Sequence, residues 1–299
     1  MKIAHIINPV KVAKNNELSL VQPITFQSIN EAIKHHKGAD ITIYTTQYPE
    51  DHEIIPAEFI VLPDLERSIS SIHPDLSNRK LPLIGDIIDQ LKNLKDVDYF
   101  IYTNIDIALM PYFYDFVVNY LNKGHDALVI NRRRITKAHF QSNNLASMYA
   151  DVGKSHPGFD CFVFDKALLA KFYFDEICIG MPFIETSFIH NIIAHAKNPS
   201  FHTKEHLTFH IGFDVLNFKK SPLYFHNKKV FFERIQPELK PLYKRAKFPY
   251  QTLPFPLRWI KTILNPALFT QNLLELESKS RLHKIKVICD EIRWRILDK

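Results

Sequence analysis

The sequence predicts an α/β fold: a mostly parallel, mixed sheet flanked by helices, followed by a basic, mainly helical C-terminal appendage. Three observations predict it. Strand-like and helix-like hydrophobic patterns alternate through the first two thirds of the chain, as in crossover-connected parallel strands. Several of the strand-like runs lead straight into polar residues at their carboxyl ends, where open α/β sheets bind ligands. From Ile235 the pattern changes, because Pro237, Pro241, Pro249, Pro254, Pro256 and Pro266 cut the chain into short pieces. The expected division is a catalytic-type body over 1–234 and an appendage over 235–299.

Taken in order, Ile3–Ile7 reads as a buried strand. Ile24, Phe26, Ile29, Ala32 and Ile33 follow at helical spacing, ending near Gly38. Asp40–Tyr44 and Phe59–Leu62 are the second and third strands, the latter stopped by Pro63. Leu83, Ile84, Ile87, Ile88, Leu91 and Leu94 mark an amphipathic helix over Leu81–Leu94. Tyr99–Tyr102 is a strand, Phe113–Leu121 a helix, Ala127–Ile130 and Cys161–Phe164 later strands, and Phe183–Ala196 a helix. Basic amphipathic helix is expected over Gln271–Leu297. Ligand-binding side chains are therefore sought just after Ile7, Tyr44, Tyr102 and Phe164.

Composition narrows the function. At 299 residues with 46% hydrophobic and 23% charged residues, the chain is of ordinary globular make-up. Only 7 residues are Gly, about a third of ordinary usage. No G-x-G-x-x-G and no G-x-x-x-x-G-K-[ST] occurs, so any phosphate must be held by side chains or a metal rather than by a glycine-rich loop. Cys161, Cys178 and Cys289 form no C-x-x-C pair and sit in apolar stretches, which suits a reducing compartment. The first residues open directly into a strand pattern rather than a signal peptide, and no run of 18 apolar residues exists, so a cytoplasmic protein is expected. The net charge of +6 is uneven: residues 235–299 hold 13 Lys and Arg against 6 Asp and Glu, leaving the body near neutrality. That asymmetry fits packing on the body, or contact with an anionic membrane surface. Trp259, Phe269 and Trp294 among the basic residues suit a membrane interface, and equally a dimer contact. Nucleic acid is not expected, since no recognition motif accompanies the charge.

The strongest local signal is Asp98-Tyr99-Phe100-Ile101-Tyr102-Thr103-Asn104-Ile105-Asp106-Ile107. If the chain stays extended, Asn104 and Asp106 point the same way and can hold a hard divalent cation. The same residues also suit a turn that ends the strand. Segment Tyr99–Tyr114 resembles the D-x-D-type metal region of GT-A-fold glycosyltransferases, with Asn in place of the first Asp. The resemblance covers roughly residues 1–215 and rests on an ordered set of segments. It implies a Mn²⁺ or Mg²⁺ ion on Asp106, with Asn104 near. His156-Pro157-Gly158-Phe159-Asp160 resembles the segment lining the sugar and acceptor side, which implies close backbone approach at Gly158 and a sugar contact from Asp160. Gly180-Met181-Pro182-Phe183-Ile184-Glu185 resembles the acidic helix start that carries the general base of inverting enzymes, with Glu185 in that role. Glu205–Gly212 resembles the segment of a late histidine that completes the metal and diphosphate site. His210 is preferred there over His206.

The same resemblance makes Arg79 and Lys80 candidates for diphosphate contact. Arg132, Arg133 and Arg134, after a strand, are candidates for an anionic sugar or diphosphate. Asn8, Thr45 and Thr46 end the first two strands, where the nucleotide base is expected. The implied function is metal-dependent sugar transfer from a nucleotide-diphosphate donor to a glycan or lipid-linked acceptor. A sugar nucleotidyltransferase, and a non-catalytic nucleotide- or carbohydrate-binding relative, are the alternatives.

Overall fold

The computed structural model describes residues 1–142, 144–212, 221–244, 247–248 and 253–264. Phe269, Cys289, Trp294 and the helix expected over Gln271–Leu297 lie outside the described residues. In chain order the elements are β1 (Lys2–Ile7), α1 (Leu18–His35), β2 (Asp40–Thr45), β3 (Ile60–Val61), α2 (Ile69–Ile72) and α3 (Ile84–Asp89). There follow β4 (Tyr99–Thr103), β5 (Ala108–Leu109), α4 (Phe113–Asn122), β6 (Ala127–Ile135), α5 (His139–Ser142), α6 (Leu145–Ala150) and β7 (Lys154–Asp165). The remainder is α7 (Lys166–Leu169), α8 (Ile184–His195), β8 (Pro199–His202), β9 (Thr208–Ile211), α9 (Pro222–Val230), α10 (Gln236–Leu239) and α11 (Phe255–Leu264).

One mixed sheet organises them, in the order β3-β2-β1-β4-β7-β6-β9-β5, with β8 on β6. Strands β3, β2, β1 and β4 are mutually parallel. β7 runs antiparallel to both β4 and β6, whereas β8 and β9 are parallel to β6. The expected mostly parallel mixed sheet is therefore present. One expectation needs correcting. Because β7 is reversed, Phe164 at its carboxyl end lies on the opposite rim from Thr103, and it is the earlier part of β7 that reaches the ligand rim. The register Thr103↔Cys161 sets Asp160 beside the end of β4.

Successive residues of the central strands face opposite ways. Ala4, Ile6, Phe100, Tyr102, Val129, Phe162 and Phe164 join one core with α3, α8 and the segment through Leu239. Ile3, Ile7, Ile101, Leu128, Ile130, Cys161 and Val163 join the other with α1 and α4. With both faces covered, the strands read as continuous apolar runs. Phe188 of α8 stacks on Phe162 at 4.4 Å and on Tyr102 at 5.1 Å, which clamps α8 against β4 and β7. Truncating such a buried ring to Ala costs about 3–5 kcal/mol. His5 is buried in β1, with Tyr114 Oη and Thr103 Oγ1 each 2.8 Å from its ring nitrogens. Burial pushes its pKa down to about 3, so it joins α4 to the sheet as a neutral ring.

Packing continues across residue 235. Phe231, Ile235, Leu239 and Phe248 are buried in the same core as α8. Lys247 Nζ donates to the carbonyls of Ile193 and Ala196 at the end of that helix. α11 is different: Phe255, Leu257, Trp259 and Ile260 are all exposed. No described helix is long and apolar enough to cross a membrane. Cys161 and Cys178 are buried free thiols, as their apolar surroundings suggest.

Candidate active site

The strand order turns outward in both directions from the junction of β1 and β4, the place where an open α/β sheet leaves a crevice at its carboxyl rim. Asn8 follows β1 there, and Asn104 follows β4. The chain does not stay extended after Thr103. Residues 105 and 106 form a turn closed by the Ile107 N–H donating to the Asn104 carbonyl at 3.1 Å. The turn sends the two side chains to different partners. Asn104 Oδ1 accepts from the Tyr102 hydroxyl at 2.9 Å, and Asn104 Nδ2 donates to Asp160 Oδ1 at 3.0 Å. Asp106 Oδ2 lies 3.2 Å from His210 Nε2. His210 comes from β9, beside Arg134 of β6 in the parallel register.

Arg132 Nη1 stands 3.2 Å from Asp160 Oδ2, and both side chains are largely buried. Arg132–Arg134 do not follow a strand, as expected, but lie within β6, which runs on to Ile135 through irregular pairing around Asn131. Arg134 is buried, and Arg133 Nη2 donates to the Gly153 carbonyl at 3.0 Å. Arg132 thus meets Asp160.

Glu185 sits in the first turn of α8. The residue before that helix, Phe183, has φ +86°, a left-handed conformation that a bulky residue rarely adopts. Contacts from Tyr224, Phe231 and Phe232 hold its ring in place. Two residues on, the Glu185 carboxylate lies against Gly158: a Cβ added there would stand 2.6 Å from Glu185 Oε2 and 3.0 Å from His156 Nε2. Gly158 is required by that close approach rather than by its own backbone angle.

Charge is crowded here. Burial is the largest influence on Asp106 and works to raise its pKa, but His210 and Arg132 outweigh it and hold it at about 2. Asp160 is shifted up by burial and by the Asp106 charge, against the pull of Arg132 and His210. Burial, with the charge of Asp160, pushes Glu185 up to about 8, against the Phe159 N–H and Arg132. His156, buried near Arg132 and Arg134, is held well below its ordinary value and is neutral. His156 Nδ1, His210 Nδ1 and Arg132 Nε are buried without hydrogen-bond partners. Buried orphan polar atoms converging on one place are what a polar ligand would satisfy.

The structure thus brings together Asn104, Asp106, Gly158, Asp160, Glu185 and His210. Asn8 and Thr45 lie at the ends of β1 and β2; Asn8 Nδ2 donates to the Thr46 carbonyl at 2.5 Å, and Thr45 is fully buried with Oγ1 unpaired. Lys80 is elsewhere, paired with Glu50 at 2.7 Å and 4.0 Å above the Tyr48 ring, and Arg79 is exposed. Sequence reasoning did not single out His156 or Phe183. His156 stood inside a motif already quoted, whereas nothing in the sequence signals a left-handed Phe. Gln47 was also missed: it is buried, donating to Asp64 Oδ1 at 2.9 Å, with Oε1 unpaired near the β2–β3 rim.

The mixed sheet flanked by helices has the architecture expected from the sequence, and acidic, arginine and histidine side chains gather at its rim. Among solved structures, this one is similar to residues 1–349 of S. aureus TarS in complex with UDP-GlcNAc, at 10% identity and TM-score 0.46, covering 100% of this chain and 90% of that chain. It is also similar to glucosyl-3-phosphoglycerate synthase from Mycobacterium tuberculosis in complex with Mn²⁺, UDP and glucosyl-3-phosphoglycerate, at 12% identity and TM-score 0.42, covering 78% and 80%. A third is the 4-diphosphocytidyl-2C-methyl-D-erythritol synthase of Anaerococcus prevotii, at 12% identity and TM-score 0.38, covering 76% and 97%. No family model and no curated protein matches the chain. Likenesses at this level assign no ligand to this chain.

Proposed function

We propose that this protein is a glycosyltransferase that moves a sugar from a nucleotide-diphosphate donor to a hydroxyl of a glycan or lipid-linked acceptor, with the help of Mn²⁺ or Mg²⁺. The observation that carries the reading is the convergence of Asp106, His210, Asp160, Arg132 and Glu185 at the β1–β4 crevice. The residues fit a divalent cation: Asp106 Oδ2 and His210 Nε2 are 3.2 Å apart, close to the ~3.0 Å edge of an octahedron with ~2.1 Å bonds. Asp106 and His210 would hold the ion, with Asn104 beside them and the remaining positions left to diphosphate oxygens and water. When bound, the cation neutralises charge on the leaving diphosphate.

The chain's own residues do the rest. Arg132 compensates Asp160, which is positioned to accept a sugar hydroxyl. A pKa near 8 places Glu185 close to the working pH of a general base. In an inverting reaction it takes the acceptor hydroxyl proton; in a retaining one it holds a sugar or acceptor hydroxyl. Asn8, Thr45 and Gln47 offer the base-binding rim. The exposed apolar row of α11, in a basic segment, suits an anionic membrane at the cytoplasmic face, where a lipid-linked acceptor would lie.

The test is thermal stabilisation by a panel of nucleoside diphosphates, with and without Mn²⁺, on wild type and Asp106→Ala. A metal-dependent rise in melting temperature for one nucleotide, lost in the variant, is expected. No rise with any nucleotide would sink the proposal.

A further inference from the structure

A second cluster, on residues separate from the crevice, has the make-up of a metal site. His73 follows α2, Glu176 lies between α7 and α8, and His226 sits on α9. His73 Nε2 is 3.2 Å from Glu176 Oε2, and His226 Nε2 is 2.9 Å from the Glu176 carbonyl. The two imidazole rings are 5.0 Å apart, and one ligand atom from each of the three residues falls within 4.8 Å of the others. Among the described residues this is the one group of three His, Cys, Asp or Glu that converges so closely.

We infer that His73, Glu176 and His226 bind a divalent transition-metal cation of the Zn²⁺ kind, tying α2, the segment before α8 and α9 together. Two imidazoles and a carboxylate favour such a cation over Mg²⁺ or Mn²⁺. One donor pair already has the spacing: ligands at ~2.0–2.1 Å around a tetrahedral ion stand ~3.3 Å apart, and His73 Nε2 and Glu176 Oε2 are 3.2 Å apart, with the three ligand atoms within 4.8 Å of one another. The His73 and Glu176 side chains are 34% and 24% exposed, which leaves water access to the fourth position.

Both Nε2 atoms face Glu176 oxygens, so when a cation binds there each neutral ring carries its proton on Nδ1 instead. Arg234 Nη1 also contacts Glu176 Oε2 at 3.0 Å, but it is equally close to Asp175 Oδ1, which retains it when the cation arrives.

The backbone that carries the ligands is already held. Ile69, Leu83, Cys178, Met181 and Leu223 form a small core beneath the cluster. The Asn227 amide accepts from the Cys178 N–H at 3.1 Å and donates to the carbonyls of Cys178 and Pro182 at 2.9 and 3.0 Å. Only side chains need adjust. The segment so fastened ends at the left-handed Phe183 and Glu185, so the role assigned to the cation is structural support of that approach.

The test uses the full chain carrying Asp106→Ala, which weakens the crevice pair. After chelation the protein is incubated with Zn²⁺ or Co²⁺, desalted and analysed for bound metal, visible absorption and melting temperature. One ion per chain is expected, with tetrahedral Co²⁺ bands and a rise in melting temperature, all lost on adding His73→Gln or His226→Ala. His73→Gln keeps a donor for Glu176 while removing the ligand nitrogen, so a folded, zinc-free protein is the expected product. Absence of retained metal in Asp106→Ala, or equal metal in His73→Gln, overturns the inference. Neither outcome touches the nucleotide-dependent shift of the wild type, which tests the proposed function separately.

Discussion

Replacing Glu185 by Gln keeps the shape of the pocket and removes one ionisable group, so its effect on stability depends on pH. Burial and the charge of Asp160 raise the Glu185 pKa from 4.5 to about 8 in the folded chain. Between those pH values the unfolded chain has lost the proton and the folded chain retains it. Stability of the wild type therefore falls by about 1.4 kcal/mol per pH unit across that window and levels off above the folded pKa. Gln ionises in neither state. From pH 6 to pH 8 the wild type should lose about 2.3 kcal/mol relative to Glu185→Gln, since Glu185 is half ionised at the upper limit and the other titrating groups are common to both. Urea unfolding of both proteins at several pH values reads this difference directly. A stability difference that stays constant from pH 6 to pH 9 would refute the reasoning, because Glu185 would then ionise as an ordinary carboxyl. If the protein is the proposed glycosyltransferase with Glu185 as its base, the same substitution should lower kcat by about 10²–10⁴-fold and abolish the rise of kcat/KM with pH through its pKa.

Gly158→Ala sets a methyl group 2.6 Å from Glu185 Oε2. Because the clash is with side-chain ends, the circular dichroism and fold should survive while kcat falls on the order of 10²-fold; unchanged kcat would mean that the Glu185–Gly158 approach is not used. Phe183→Gly relieves the left-handed strain, ~1–3 kcal/mol, but removes a buried ring whose loss costs ~3–5 kcal/mol. A net destabilisation of about 2 kcal/mol in urea is expected, and a more stable variant would show that the strain, not the packing, dominates. Trp259→Ser with Ile260→Ser removes half of the exposed apolar row of α11. Co-sedimentation with anionic vesicles should drop on the order of tenfold with activity on a soluble acceptor retained; unchanged vesicle binding together with a dimer-to-monomer shift in sedimentation would assign that row to a second copy of the chain.

Much of the fold was legible because it rests on local periodicity. β1, β2 and β4 begin and end within a residue of the expected limits. α4 and α8 match to the same tolerance. The Leu81–Leu94 helix was legible as a hydrophobic face, but the structure starts it at Ile84 and tightens its last turn at Gln90–Asn93. β6 and β7 were read as four-residue cores of strands that are 9 and 12 residues long. Their extensions carry Arg132, His156, Gly158 and Asp160 of the candidate site, and polar strand residues give no hydrophobic signal.

Strand direction was the larger gap. Nothing in Cys161–Phe164 states that β7 is reversed, since that depends on which neighbours it pairs with. The turn at residues 105 and 106 belongs with it: spacing alone left Asn104 and Asp106 either co-directed or parted, and the Ile107–Asn104 hydrogen bond parts them.

By itself the sequence determined the class of fold, the candidate chemistry at the end of β4, and the unequal distribution of charge. These follow from periodicity and composition, which are properties of neighbouring residues. Only the tertiary structure decided that Arg132 meets Asp160, that His210 rather than His206 faces Asp106, and that Glu185 carries a raised pKa. It also decided that His73, Glu176 and His226 meet. These are long-range facts: a pKa or a donor set depends on burial and on charges supplied by distant segments, and both exist only once the sheet and its helices have packed.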